Sequence, residues 1–163
     1  MSDYARVDLG KLARLAEAGQ LYQTSDEVIA TALVPANFVF WSGSSKGIAV
    51  RLISVRISAS AQSTPLLGTV LVDPAFTNGN PPVNLRLGSG SAQAFSEAQA
   101  AAAVSQNQRI AGVSIAPAAQ VELLAPAGIY LPPNTGVYIS TPIAAITYDV
   151  VWLWAECPPE ESD

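Results

Sequence analysis

A chain of 163 residues, half of them hydrophobic, 13% charged and none of them histidine, can bury roughly 70% of its unfolded surface around one core without disulfide or zinc staples. Without histidine there is no Ser-His-Asp triad and no two-His-one-carboxylate metal centre. The single cysteine, Cys157, supports neither an intramolecular disulfide nor a Cys/His zinc site, so no catalytic residue, metal ligand or cofactor is expected and the chain reads as a non-enzyme.

The net charge of -5 is concentrated in the acidic end, where Glu156, Glu160, Glu161 and Asp163 have no balancing base. The Lys and Arg residues are scattered, so no basic patch is available to neutralise phosphate and no nucleic-acid partner is expected. No apolar run approaches the ~20 residues of a membrane-spanning helix, and the first residues lack the apolar stretch of a secretion signal. The expectation is a soluble protein made in the cytoplasm, with no membrane partner.

Residues 1–27 are charge-rich, and Val7, Leu12, Leu15 and Ala16 recur at helical spacing. They predict a short helix from Leu9 to Ala18, stopped by Gly19, which cannot persist alone in water and must pack on something. The sequence favours an arm that reaches another chain through Val7, Leu12 and Leu15.

From residue 28 the pattern changes to short runs of β-branched and aromatic residues separated by Pro, Gly, Asn and Ser, which predicts a single all-β domain over residues 28–156. Strands are expected near Val28 to Val34, Asn37 to Ser42, Gly47 to Ser60, Leu67 to Val72, Val83 to Leu87, Ile110 to Ile115, Gln120 to Leu124, Gly128 to Leu131, Val137 to Ser140 and Ala145 to Glu156. That number of strands points to an antiparallel β-sandwich or jelly roll. Residues 157–163 form an acidic tail. The stretch 91–108, SAQAFSEAQAAAAVSQNQ, is an excursion whose alanine density predicts a helix capped by Ser91, with an ordered loop as the competitor.

In the last strand Ile146, Tyr148, Val150, Trp152 and Trp154 share one face by the two-residue period, and Val151, Leu153 and Ala155 make the other face apolar too. Both sides should therefore contact protein. Either the 91–108 segment or the arm covers the second side, or copies of the chain associate through it, which makes Tyr148, Trp152 and Trp154 intersubunit candidates. Arg51 falls in the apolar row Ala49, Arg51, Ile53, Val55, Ile57 and Ala59. Asp149 is its natural partner if the two strands are neighbours, and a bulge near Leu52 that turns Arg51 outward is the alternative. For surface recognition the candidates are Trp41, Tyr22 and the loop 73–82, with Asn78 and Asn80 at its tip. The acids Asp73, Glu97, Glu122 and Asp149 are too separated in sequence to indicate a hydrolytic pair.

The runs KGIAVRLISVRISAS at Lys46 to Ser60 and GIYLPPNTGVYISTP at Gly128 to Pro142 resemble bacteriophage virion β-sandwich and jelly-roll proteins, most of all capsid decoration (cement) proteins. The resemblance implies a structural subunit on the capsid exterior, a homotrimer that bridges capsomers. Its partners would be its own copies and the major capsid protein or other virion proteins, with residues 1–27 as the clamping arm. A receptor- or carbohydrate-binding module of a phage tail, spike or fibre is the alternative that the resemblance leaves open.

Overall fold

The structure is a computed structural model that describes residues 9–77, 79–104, 106–124 and 128–157. Helix α1 (Leu9–Glu17) is followed by β1 (Leu21–Ile29), β2 (Ala36–Trp41), β3 (Ala49–Ala59), β4 (Leu66–Val70), β5 (Val83–Asn84) and β6 (Phe95–Ala100). Then come β7 (Arg109–Gly112), β8 (Gln120–Glu122), β9 (Ile129–Leu131), β10 (Gly136–Ser140) and β11 (Thr147–Cys157). They form two antiparallel sheets, sheet A in the order β5-β1-β11-β3-β8 with β9 also pairing with β3, and sheet B in the order β6-β2-β10-β4-β7. The two sheets pack face to face, so the expected all-β sandwich with one short helix is what the chain forms.

The core lies between them, because alternate residues of each central strand turn inward. Leu52, Val55, Ile57, Tyr148, Val150 and Trp152 come from sheet A, and Phe38, Phe40, Leu67, Val137 and Ile139 from sheet B. Phe40 stacks on Trp152 at 5.6 Å and meets Trp154 edge-on at 4.8 Å, while Tyr22 stacks on Trp154 at 5.8 Å. Such contacts add about 0.5–1.5 kcal/mol each beyond the area buried.

Helix α1 ends as the sequence predicts. The Gln20 N–H donates to the Leu15 carbonyl at 2.9 Å and the Gly19 N–H to that of Ala16 at 3.0 Å, the paired bonds of a Schellman stop. The arm is shorter than expected, however. β1 begins at Leu21 and pairs along its whole length with β11, from Leu21 opposite Ala155 to Ile29 opposite Thr147. Residues 21–27 therefore belong to the sandwich, whose boundary moves from residue 28 to residue 21. The inner face of this strand carries Thr24 and Asp26, so it lacks the apolar alternation that marks a strand in sequence.

The alanine-rich segment is not a helix. Its residues 95–100 are β6, paired with β2 from Trp41 opposite Phe95 to Ala36 opposite Ala100, and loops flank it on both sides. Small side chains suit this place: Ser96 and Ala98 face the interior where β6 closes against β1, and the Asn37 side-chain amide donates to the Gln99 and Ala101 carbonyls. Sheet pairing and close approach override helical propensity here.

In β3 a bulge opposes two residues to one between Leu153 and Trp154 of β11. Val50 and Leu52 point inward before it, Val55 and Ile57 after it, and Arg51 is turned to the outer face. The ion pair expected between Arg51 and Asp149 does not form, because Arg51 lies opposite Ala155 and Asp149 opposite Ser58, near the other end of the strand. The Arg51 guanidinium instead lies 5.4 Å from the centre of the Tyr130 ring.

Candidate interaction surface

The aromatic residues expected at a subunit contact are interior. Tyr148, Trp152 and Trp154 are fully buried, because the sandwich needs large inward side chains on its central strand. Trp41 and Tyr22 are 7% and 6% exposed and offer no platform for a ligand. Leu12 and Leu15 are half-buried on α1, which packs on β1. Val7 and Asn78 lie outside the described residues. Asn80 is exposed, but its polar groups are already engaged, its N–H with Asp26 Oδ1 at 2.7 Å and its side-chain amide with the Ser25 carbonyl at 2.5 Å.

Double-sided burial is complete in β2 and nearly so in β10, while in β11 it is confined to Trp154–Cys157, with Val151 and Leu153 of the expected second face only half-buried. All six residues of β2 are buried, and Val39, Trp41, Val70 and Tyr138 form a second apolar cluster on the outer side of sheet B, packed against Phe76, Phe95 and Val104. Loops 71–82 and 101–108 supply that cover. The Tyr138 hydroxyl donates to Asn37 Oδ1 and accepts from the Val104 N–H at 3.2 Å, and the Gln106 amide donates to the Leu66 and Tyr138 carbonyls at 3.0 Å each.

Three buried carboxylates hold loops in place. Glu156 accepts from the Gln93 and Ala94 N–H groups and from the Trp154 indole. Asp26 accepts from Asn80; burial pushes its carboxyl above the ordinary range, and the Asn80 N–H and the adjacent Ser96 and Trp152 side chains pull it back. Glu97 accepts from the Phe76 N–H at 3.0 Å and is pushed up to about 7, by burial first and then by the neighbouring Asp73 carboxyl. The chain must stay close at this strap, since a Cβ on Gly79 would sit 1.9 Å from the Ser96 carbonyl oxygen. The fold thus brings together Asp73 and Glu97, two acids far apart in sequence, while Glu122 is occupied by Ser54 and the Val55 N–H. Among the described residues no group of three or more Cys, Asp or Glu side chains is placed to hold a metal ion, and no helix is long and apolar enough to cross a membrane.

What the sequence left invisible is one end of the sandwich. The turns 30–35, 60–65, 113–119 and 141–146 come together there. The Ala30 N–H donates to the Ile146 carbonyl at 2.9 Å, Ser63 and Ile115 exchange backbone bonds at 3.1 and 2.8 Å, and the Ala118 N–H donates to the Ala59 carbonyl at 2.9 Å. None of these turns contains a charged or aromatic residue. Ile29, Leu33 and Ile143 stand out from this end at 64%, 85% and 62% exposure. Each turn taken alone reads as an ordinary loop, and only the strand order shows that four uncharged loops share one surface. The opposite end carries α1, the β2–β3 loop with Lys46 and the loop after β5 with Arg86. Compared with protein families, with curated proteins and with solved structures, the chain shows no match.

Proposed function

We propose that the protein is a non-enzymatic structural subunit whose work is done by contact area, of the kind that the likeness to capsid decoration proteins implies. In that role it sits on the virion exterior as a homotrimer and bridges capsomers of the major capsid protein. The observation that carries the reading is the uncharged end, where three large apolar side chains stand exposed together. A surface of this kind on a soluble domain marks a contact site. The three buried carboxylates support the reading from the other side, since each is engaged by backbone N–H groups that hold a loop.

In this reading α1 is the clasp. It precedes the sandwich in the chain and packs along β1, with Leu12 and Leu15 half-covered. Deleting residues 1–20 removes the helix just before the first residue of β1. The shortened protein is expected to keep its β circular dichroism and to lose binding to particles in a co-sedimentation assay, while the full chain is recovered on native particles in hundreds of copies. A truncated protein that coats particles at full occupancy overturns the clasp. A native count of a few copies, or saturable binding on a glycan array, overturns the decoration role in favour of a recognition module.

A further inference from the structure

We infer that the helix end of the sandwich is a cationic seat for the acidic segment of the same chain: Glu160, Glu161 and Asp163 fold back from the close of β11 onto Arg14, Lys46 and Arg86. The inference stands apart from the contact-subunit reading.

The basic residues are scattered in the sequence, but the strand order gathers them. Of the seven Lys and Arg among the described residues, five belong to this end: Lys11, Arg14, Lys46, Arg51 and Arg86. Arg51 lies opposite Ala155 on β11, and Ala155 opposite Leu21 on β1. The Leu85 N–H donates to the Leu21 carbonyl at 2.9 Å, so Arg51 and Leu85 are three strand spacings apart, about 14 Å. Arg86 follows directly, its Cδ 3.7 Å from the point where a Cβ on Gly19 would stand. Gly19 stops α1, and Arg14 is in the last turn of that helix. Lys46 comes three residues before Ala49, which lies opposite Cys157. The Arg51 guanidinium rests against Tyr130, while Arg14, Lys46 and Arg86 are exposed.

Carboxylates do not balance this group. Among the described residues the end has only Glu17, which is exposed, and Glu156, which is buried. Glu156 is already engaged by the Gln93 and Ala94 N–H groups and the Trp154 indole. Glu27, Glu122 and Asp149 lie six or more positions back along β11, about 20 Å away along the sheet.

The acidic segment starts in the middle of the cations. β11 stands between β1 and β3, and the Glu156 N–H donates to the Gln20 carbonyl at 2.9 Å, which fixes the exit at Cys157 beside the end of α1. Residues 158–163 carry three carboxylates and no base. Because a chain spans at most about 3.6 Å per residue, Glu160 stays within about 11 Å of Cys157 and Asp163 within about 22 Å. That reach covers the cations on both sides of β11.

Each exposed ion pair is weak and screened by salt. The tether compensates, since a short linker holds its two ends together at an effective concentration in the millimolar range. Docking is therefore a salt-sensitive equilibrium, and while it lasts the acids occupy the cations beside α1. The contact is autoinhibitory: another anionic group reaches Arg14, Lys46 and Arg86 only by displacing the segment.

Amide proton–nitrogen NMR spectra of the full chain test this. Glu160→Gln/Glu161→Gln/Asp163→Asn should shift the amides of residues 11–20, 44–47 and 85–90 at low salt, and the difference from the parent should vanish at high salt. Reciprocally, Lys46→Ser/Arg86→Ser should move the amides of residues 160–163. Arg109→Ser, which removes an exposed cation away from this end, should leave them in place. All these side chains lie outside the core, and unchanged resonances from β2, β10 and β11 show that each variant keeps the fold. Absence of the shifts, shifts of equal size at high salt, or an Arg109→Ser effect as large as the reciprocal one overturns the inference. Shifts that grow with protein concentration also overturn it, since the acids would then be those of a neighbouring copy.

Discussion

The outer face of sheet B is sealed by the molecule's own loops, with Val39, Trp41 and Tyr138 buried beneath Phe76 and Val104, whereas the outer face of sheet A is covered only at one end, at Leu21, Ala155 and Cys157, and is open from Leu153 to Asp149. On sheet A, Val151 and Leu153 are half-exposed and share the face with exposed Glu27 and Asp149 and with Arg56. The sealed face shows that a strand apolar on both sides does not require a second subunit, because a long loop can provide the second layer. The bare face shows the converse: a few apolar residues mixed with charges remain at solvent. The contact surface is therefore sought at the end of the sandwich, whose four turns carry no charge, with the Arg109 guanidinium behind them against Gly112.

The largest break in this contrast comes from emptying the sealed side. Trp41→Ala removes a buried indole from the second cluster and is expected to cost about 3–5 kcal/mol, whereas Leu153→Ser on the bare face should stay within about 0.5 kcal/mol. Urea denaturation of both variants measures the difference. Equal costs would mean that the two faces are not distinct. Next in size, Gly79→Val pushes a side chain into the Ser96 carbonyl and the Glu97 backbone. It should lift the strap at a cost of about 1–3 kcal/mol, with faster proteolysis within 71–82 and faster hydrogen exchange in β2.

The strap also makes the sealed side sensitive to pH. The unfolded chain ionises Glu97 at its ordinary value, while the folded chain holds the proton up to about 7, so across that interval the folded state binds more protons and stability falls as pH rises. The loss should be complete above about 7. The melting temperature is expected to drop by a few degrees between about pH 5 and about pH 8, and Glu97→Gln, which mimics the protonated form, should flatten most of the slope and melt higher than the parent at the alkaline end. Asp26, also shifted upward, leaves a residual slope of the same sign. A variant with the parent's slope would remove Glu97 as its source.

How far the sequence reveals this arrangement depends on whether local and long-range signals agree. β2, β10 and β11 are rich in β-branched and aromatic residues, and their expected limits differ from the observed ones by a residue or two. β1 is missed up to Val28 because Thr24 and Asp26 face inward, where each bonds to a loop more than fifty residues away. β6 is misread because alanine favours a helix when nothing else competes, and here the competitor is the edge of β2. The end surface is invisible for the same reason. Its four turns are separated by up to about a hundred residues, and only the strand pairings bring them together: β1 and β3 with β11, β2 and β4 with β10, and β7 and β8 with β4 and β3.

The smallest expected effect concerns the bare face and is the most direct check of the register. Asp149 stands directly opposite Glu27 on β1 and Ser58 on β3, so its nearest cross-strand charge is a like one, which opposes pairing. Had Arg51 been its partner, Asp149→Asn would strand a charge and destabilise the fold strongly. With the observed register the substitution relieves a repulsion between exposed groups, which salt and solvent already weaken. The variant is therefore expected to melt at the parent's temperature or slightly above it, the gain appearing at low ionic strength and fading as salt is added. A clear loss of stability in low salt would mean that Asp149 has a cationic partner. The same loss in an Arg56→Ala background, which removes the diagonal cation on its face, would mean that β11 pairs with β3 in another register and would also move Arg51 from its place over Tyr130.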